Sequence, residues 1–283
     1  MLKCKNHKTE DIEVDLLLIA LKERYGYDFT GYARASLKRR LMELTESFNV
    51  KHLSELLVSV LYDDSVAQSV INSISVPTSE FFRDALVWKS VRNCILSHLD
   101  SFPRINIWQV GCGYGEEVYT LVILLHEAGL LKKSRIFSTD INPVFLKTAE
   151  EGCWSRRHLD PWKNNYQQSG GEKDFEHYFT IGEKTISIRN EYKMSIEFIQ
   201  HNLVVDEVFK EVQWVICRNV LIYFGMDLQD QVLSLFSRSM ERGGYLLLGR
   251  SEKIIDVQQK NLGLELIDDK TQLYRKMIRN QHV

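Results

Sequence analysis

Three glycines at alternate positions mark the first place where this chain could do chemistry. The segment VGCGYGEE, residues 110–117, follows the apolar run INIWQV and precedes a stretch that reads as a helix to about Ala128. In open α/β sheets ligands bind at the carboxyl ends of the strands, and glycines there let the backbone come close to a ligand. A dinucleotide fingerprint would read GxGxxG and seat a pyrophosphate on the helix N-terminus. Gly111, Gly113 and Gly115 are present, but Glu116 stands where the last glycine of that fingerprint belongs, and Glu117 follows. Two carboxylates at a helix start repel a pyrophosphate. They suit a ligand with cationic groups and no phosphate, and S-adenosylmethionine, with its sulfonium, ammonium and carboxylate, is such a ligand. Asp140 ends the next predicted strand, where an acidic side chain can accept from both ribose hydroxyls. These residues also have plainer uses: the Glu pair favours the helix dipole, and Asp140 can cap the helix that begins near Pro143.

The elements that must hold these residues follow from periodicity. Residues 11–75 read as helical, with Val14, Leu17, Leu18 and Leu21 on one face, then Leu37, Leu41 and Leu44, then Leu53, Leu56, Leu57 and Val60. After about residue 100 the pattern changes. INIWQV (105–110), RIFST (135–139), WVICRN (214–219) and GYLLLG (244–249) read as strands. Helices are expected at 116–128, over NPVFLKTAEE and at about 228–240. Strands alternating with helices predict an α/β, doubly wound parallel sheet. Between about 160 and 200 the order weakens, and a small antiparallel β excursion is expected, built from runs such as TISIRNEY and SIEFIQ. The domains expected are 1–90, helical, and 91–283, the sheet domain with its excursion.

Composition excludes several classes. The chain has 283 residues, 44% hydrophobic and 26% charged, with a net charge of -2, so no global positive field advertises nucleic acid or membrane binding. Five cysteines (Cys4, Cys94, Cys112, Cys153, Cys217) form no CxxC pair, which argues against a disulfide framework and a structural zinc site. No metal is expected, and His126, His158, His177 and His201 show no ligand spacing. The polar opening MLKCKNHKTEDIEV lacks a signal-peptide pattern, and no apolar run reaches the roughly 20 residues of a membrane span. A cytoplasmic monomer is expected.

Six blocks in order, SEFFRD (79–84), WQVGCGYGEEVYTL (108–121), FSTDI (137–141), QHNL (200–203), VICRNVLIYF (215–224) and GGYLLLGRSE (243–252), give a resemblance to the CheR-type chemoreceptor glutamate methyltransferases. It runs from about residue 15 to 275. The resemblance implies a class I S-adenosylmethionine-dependent methyltransferase domain of Rossmann-like fold, carrying a small β-subdomain and preceded by a helical domain. It implies S-adenosyl-L-methionine as methyl donor, S-adenosyl-L-homocysteine as product, and receptor glutamate side chains as acceptor. Carried over position by position, it implies that Ser79 and Arg83 close over the cofactor and that Gly111 and Gly113 line it. Glu117 would face its polar groups, Asp140 hold the ribose, and Asn202 and Leu203 flank the adenine. Arg218 and Asn219 would lie beside the donor, and Tyr223 near the transferred methyl. Two positions depart from the family pattern: Pro77 where Asn is common, and Gly113-Tyr114 where Ser-Thr is common.

A glutamate carboxylate is already a nucleophile at pH 7, so methyl transfer to it requires alignment and exclusion of water rather than a general base. Arg83 is a candidate clamp for that carboxylate and Tyr223 a candidate for orienting methyl or oxygen, which makes both candidate catalytic residues. The segment YARASLKRRLME (32–43) adds Arg34, Lys38, Arg39 and Arg40, expected off the apolar helix face as a docking surface for the acidic cytoplasmic helices of receptors. Three alternatives compete: a class I methyltransferase for another carboxylate or a small molecule; a nucleic-acid enzyme, disfavoured by Arg218-Asn219-Val220-Leu221 where an Asn-Pro-Pro-Tyr loop would stand; and a non-catalytic module binding S-adenosylmethionine or S-adenosylhomocysteine. The turn region 181–191 has one glycine, which disfavours a loop tethering the enzyme to a receptor tail.

Overall fold

A computed structural model describes residues 9–208 and 210–278; Cys4 and the polar opening through Lys8 lie outside them. The chain divides into two compact units, one formed by residues up to Val76 with Ile222–Gln229, the other by Pro77–Leu221 with Asp230 onward. Residues 77–90 thus group with the larger unit.

The smaller unit holds α1 (Thr9–Tyr25), α2 (Arg34–Ser47), α3 (Glu55–Tyr62) and α4 (Asp64–Ile74). Val14, Leu17, Leu18 and Leu21 of α1, Leu37, Leu41 and Leu44 of α2, and Leu56 and Val60 of α3 are all buried, as their spacing predicts. Asp63 caps α4, its side chain accepting from Ser65 N at 2.9 Å. The segment 222–229 joins this unit through Ala33 N donating to Tyr223 O and Gly225 N to Gly31 O, both at 2.8 Å.

The basic face of α2 differs from expectation. At about 100° per residue, position 40 falls beside 37 and 44 on the apolar face, so Arg40 is buried. Its guanidinium donates to Ile74 O and lies over the Tyr223 ring, 4.4 Å from the centroid. Arg34 and Lys38 share one flank and are bound by α1 carboxylates: Arg34 to Asp15 at 2.5 Å, Lys38 to Glu10 and Asp11 at 2.7 and 2.8 Å. Arg39 stays outward, 73% exposed and only 3.9 Å from Glu43.

The larger unit begins with α5 (Ala85–Cys94) and α6 (Leu96–Asp100). Then come β1 (Ile105–Val110), α7 (Glu116–Glu127), β2 (Ser134–Asp140) and α8 (Pro143–Glu151). Next are β3 (Cys153–Ser155), α9 (Leu159–Gln168), β4 (Phe179–Ile181), β5 (Thr185–Ile188), β6 (Ile196–Gln200) and β7 (Val212–Cys217). α10 (Met226–Ser239), whose residues from Asp230 belong to this unit, β8 (Met240–Leu248), α11 (Asp256–Leu262), β9 (Leu264–Asp268) and β10 (Leu273–Lys276) follow. The main sheet has seven strands in the order β6-β2-β1-β7-β8-β10-β9, parallel from β6 to β8 and antiparallel over the last two pairings. Strands β1 and β7 are buried on nearly every residue, as a parallel sheet covered on both faces requires.

The expected excursion is present as a three-stranded antiparallel sheet, β3-β5-β4. One of its assigned runs belongs elsewhere. SIEFIQ forms β6 and pairs in parallel with β2, Ile136 opposite Ile196 and Asp140 opposite Gln200. Its half-exposed residues carry the alternation of a sheet margin, which sequence alone reads as a hairpin. Aromatic side chains tie the small sheet and α9 to the body: Phe81 packs with Trp154, Trp162 and Phe179 at centroid distances of 5.1, 4.8 and 5.3 Å. Cys94, Cys112, Cys153 and Cys217 are free thiols. Among the described residues no helix is long and apolar enough to cross a membrane.

Candidate functional site

The carboxyl ends of β1, β2 and β7 converge on the glycine loop. Gly111 N and Cys112 N both donate to Thr139 O, at 2.8 and 3.0 Å, which ties the loop to the end of β2. Gly111 has φ +69°, and a Cβ there would stand 2.5 Å from Val220 Cγ2. Gly115 has φ +94°, and a Cβ would meet Ala149 at 2.9 Å, so this glycine lets α7 and α8 approach. Tyr114, the bulky departure, turns its ring edge-on to Phe145 at 5.2 Å, and its carbonyl accepts from Trp154 Nε1 at 3.0 Å. Pro77, the other departure, runs its backbone past Gly113, 3.6 Å from where a Cβ on that glycine would stand.

Asp140 is buried, and each carboxylate oxygen accepts a backbone N–H: Oδ2 from Gly113 at 3.0 Å, Oδ1 from Asn142 at 2.9 Å. Burial pushes its pKa up from 3.8 to about 6, against the pull of those N–H groups. The helix-cap reading of Asp140 does not hold: Asn142 caps α8, its side chain accepting from Val144 N at 3.0 Å. A carboxylate has about four lone-pair positions, and with backbone N–H groups of Gly113, Asn142 and Ile141 on it Asp140 keeps room for one further donor.

The two glutamates of the loop have different environments. Glu117 Oε2 accepts from Arg218 Nη1 at 2.7 Å, and its Oε1 from Gln109 Nε2 at 3.3 Å. Arg218 is fully buried. Its Nη2 also binds Asp84 Oδ2 at 2.7 Å and Arg83 O at 3.2 Å, and the guanidinium lies 5.3 Å from the Trp88 ring centroid. One guanidinium thus joins the glycine loop, the end of β7 and the segment before α5. Glu116 is buried too, hydrogen-bonded to Ser79, with Oε2 unpartnered; burial raises its pKa from 4.5 to about 8. Arg83 donates from Nη1 to Thr78 O at 3.0 Å, closing the 78–83 turn on itself. Asn219, at φ +61°, donates its N–H to Glu252 Oε2 at 2.9 Å, and the same oxygen accepts from Gly249 N at 2.6 Å. Asn202 follows His201, whose N–H donates to Asp140 O at 3.1 Å. Its Oδ1 accepts from Val204 N at 3.0 Å, and the half-buried Leu203 comes next.

The larger unit therefore brings Ser79, Arg83, Gly111, Gly113, Glu117, Asp140, Arg218 and Asn219 to the ends of β1, β2 and β7, and Asn202 and Leu203 follow His201, which bonds Asp140 O. Tyr223 belongs to the smaller unit, where it packs under Arg40. Sequence reasoning missed Asp84, the second counter-charge of Arg218, and Glu252, which holds the Asn219 turn. Both stood inside quoted blocks, SEFFRD and GGYLLLGRSE, so an unassigned acid within each block was the available signal. The residues fit S-adenosylmethionine: the glycines leave a close backbone approach, Asp140 has room for one further donor, and acids rather than anion-binding donors fill the start of α7.

Comparison with known proteins identifies the family. Residues 77–266 match the family described as CheR methyltransferase, SAM binding domain, and residues 12–75 match CheR methyltransferase, all-alpha domain. Cher3 of Pseudomonas putida, named as a methyltransferase, is 39% identical over 249 residues, covering 88% of this chain and 91% of its own. A chemotaxis protein methyltransferase of Listeria innocua is 29% identical over 87% of this chain and 92% of its own. One of Vibrio cholerae is 26% identical over 79% of this chain and 82% of its own. With both family domains matched in order, one of them described as SAM binding, the chain belongs to the CheR methyltransferase family.

Proposed function

We propose that this methyltransferase esterifies glutamate side chains on the cytoplasmic helices of chemoreceptors, releasing S-adenosylhomocysteine. The observation that carries the reading is Asp140, a buried carboxylate held by backbone N–H groups at the end of β2, with room for one further donor from the ribose. S-adenosylmethionine, when bound, supplies an electrophilic methyl group on a sulfonium. Asp140 accepts from a ribose hydroxyl, and Asn202 and Leu203 flank the adenine. Gly111 and Gly113 give the backbone its close approach, and Ser79 closes over the donor. Glu117 and Arg218 set the charge around the donor's amino-acid end, with Asn219 beside it. Arg83 clamps the acceptor carboxylate through its guanidinium fork. The protein would hold the acceptor oxygen in line with the methyl carbon and the sulfur of the donor, whose methyl would pass to that oxygen with the sulfur as leaving group. Alignment of these three atoms is the protein's main contribution, with an upper range of about 7–11 kcal/mol. The acidic receptor helices are steered by Arg39, with Arg34 and Lys38 secondary because α1 carboxylates already bind them.

The test is transfer of labelled methyl from S-adenosylmethionine to purified receptor cytoplasmic fragments. A glutamate methyl ester releases its label as methanol in mild base. Base-stable label would assign a different acceptor, and binding of S-adenosylhomocysteine without any transfer would favour a non-catalytic module.

A further inference from the structure

The glycine loop and Asp140 occupy the carboxyl ends of β1 and β2. The amino ends of the same two strands carry a second concave feature, a cleft of about 500 Å³. Five cations line it, Arg104, Lys132, Lys133, Arg135 and Lys210, together with Asn106. Two of the five are paired: Lys133 with Asp100 at 2.7 Å and Arg135 with Glu197 at 2.6 Å. Arg104, Lys132 and Lys210 have no carboxylate partner among the described residues. Arg135 and Lys210 both lie over the Phe137 ring, 5.2 and 5.0 Å from its centroid, so two cations from different strand ends crowd one site. This concentration occurs in a chain whose net charge is -2. The strands between the two ends are six and seven residues long, which puts the cleft about 20 Å from the glycine loop at about 3.3 Å per residue.

Arg104, Lys132, Arg135 and Lys210 are exposed and line one concavity, so an anion entering it meets several cations at once. Here the turn before β2 and the turn before β1 bring Lys132 and Arg104 to the rim of one concavity of small-molecule size. A single carboxylate would neutralise one of the three free cations. A phosphoanhydride carries several charges within a few ångströms, its oxygens match an arginine fork, and lysine serves it as a point charge. We propose that this cleft is a second ligand site, separate from the methyl-donor site, that takes a small polyphosphate-bearing anion. The cleft is a half-open concavity of a size that admits a small soluble ligand, and vesicles test a lipid surface in its place.

The experiment uses the full chain and inorganic triphosphate as probe, titrated by calorimetry at low ionic strength. Parallel arms use sulfate at matched ionic strength, and vesicles of phosphatidylcholine with and without phosphatidylglycerol. The variant is Arg104→Gln with Lys132→Gln; both side chains are on exposed residues, and its melting temperature is checked against wild type. The expected result is saturable one-to-one triphosphate binding that the variant weakens about tenfold or more per cation removed. Sulfate should compete poorly, and S-adenosylhomocysteine affinity should be unchanged in the variant. Equal competition by sulfate, an unchanged variant, no saturable binding, or binding only to phosphatidylglycerol vesicles would each overturn the proposal.

Discussion

Replacing Asp140 by Asn tests the site through two opposed effects of similar size. In the wild-type protein without cofactor, the Asp140 carboxyl has its pKa raised from 3.8 to about 6. A carboxyl raised in the fold contributes stability that is full below about 3.8 and is lost as pH rises through 6. At about 1.36 kcal/mol per pH unit, the gap is worth roughly 3 kcal/mol, which the ionised group costs at pH 7. Asn removes that cost. It also turns an NH₂ group toward either Gly113 N or Asn142 N, each of which now donates to a carboxylate oxygen. One buried N–H is then left facing a donor, at about 1–3 kcal/mol. The net change in stability at pH 7 is therefore small. Cofactor affinity has no such compensation. Hydrogen bonds to a charged acceptor are worth about 1.5–3 kcal/mol, so Asp140→Asn should weaken S-adenosylhomocysteine binding about 10- to 150-fold. Wild-type affinity should fall as pH drops below about 6, because the protonated acid is a poorer acceptor; the variant should show no such step. Calorimetric titration from pH 5 to 8 measures both. A wild-type profile flat through pH 6, or a variant that binds as tightly as wild type, would show that Asp140 only braces the loop.

Three further outcomes follow from the same contacts. Glu116, raised from 4.5 to about 8, contributes stability that is lost as pH rises through 8, so Glu116→Gln should melt with less pH dependence between pH 5 and 8 than wild type; parallel slopes would refute its burial as a neutral acid. Arg218→Met leaves Glu117 and Asp84 without their shared cation and should destabilise the protein by about 3–5 kcal/mol by denaturant titration, whereas a loss under 1 kcal/mol would mean that water replaces the guanidinium. Tyr223→Phe should lower kcat while leaving cofactor affinity unchanged, and full turnover would make Tyr223 a packing partner of Arg40 alone.

What the sequence reveals here depends on how far apart the cooperating residues are. The run from Ile105 to Asp140 is legible because strand, glycine turn, helix and strand are each announced by local chemistry, and the parallel pairing of β1 with β2 follows from the helix between them. The helices of the smaller unit are legible from leucine spacing for the same reason. Arg40 lies inside because its angular position beside Leu37 and Leu44 outweighs its charge, although a run of four cations beside that apolar face reads as solvated. SIEFIQ was misplaced because a margin strand shows the alternation of a hairpin, and its partner β2 lies some 60 residues earlier. Asp84 and Glu252 could not be assigned, since their meaning lies in partners 134 and 33 residues away.

The guanidinium of Arg218 also has a consequence for the order in which the molecule can be made. Its two carboxylate partners precede it by 134 and 101 residues. During synthesis, at about 5–20 residues per second, Asp84 and Glu117 emerge from the ribosome many seconds before the cation that neutralises them. Until then Glu117 has no cation for its nearly buried carboxylate, which is unfavourable to bury alone, while Asp84, 28% exposed, keeps contact with water. Closing the glycine loop over Glu117 is therefore more favourable once β7 has been made. A chain that stops short of β7 lacks the cation that joins the glycine loop to the segment before α5.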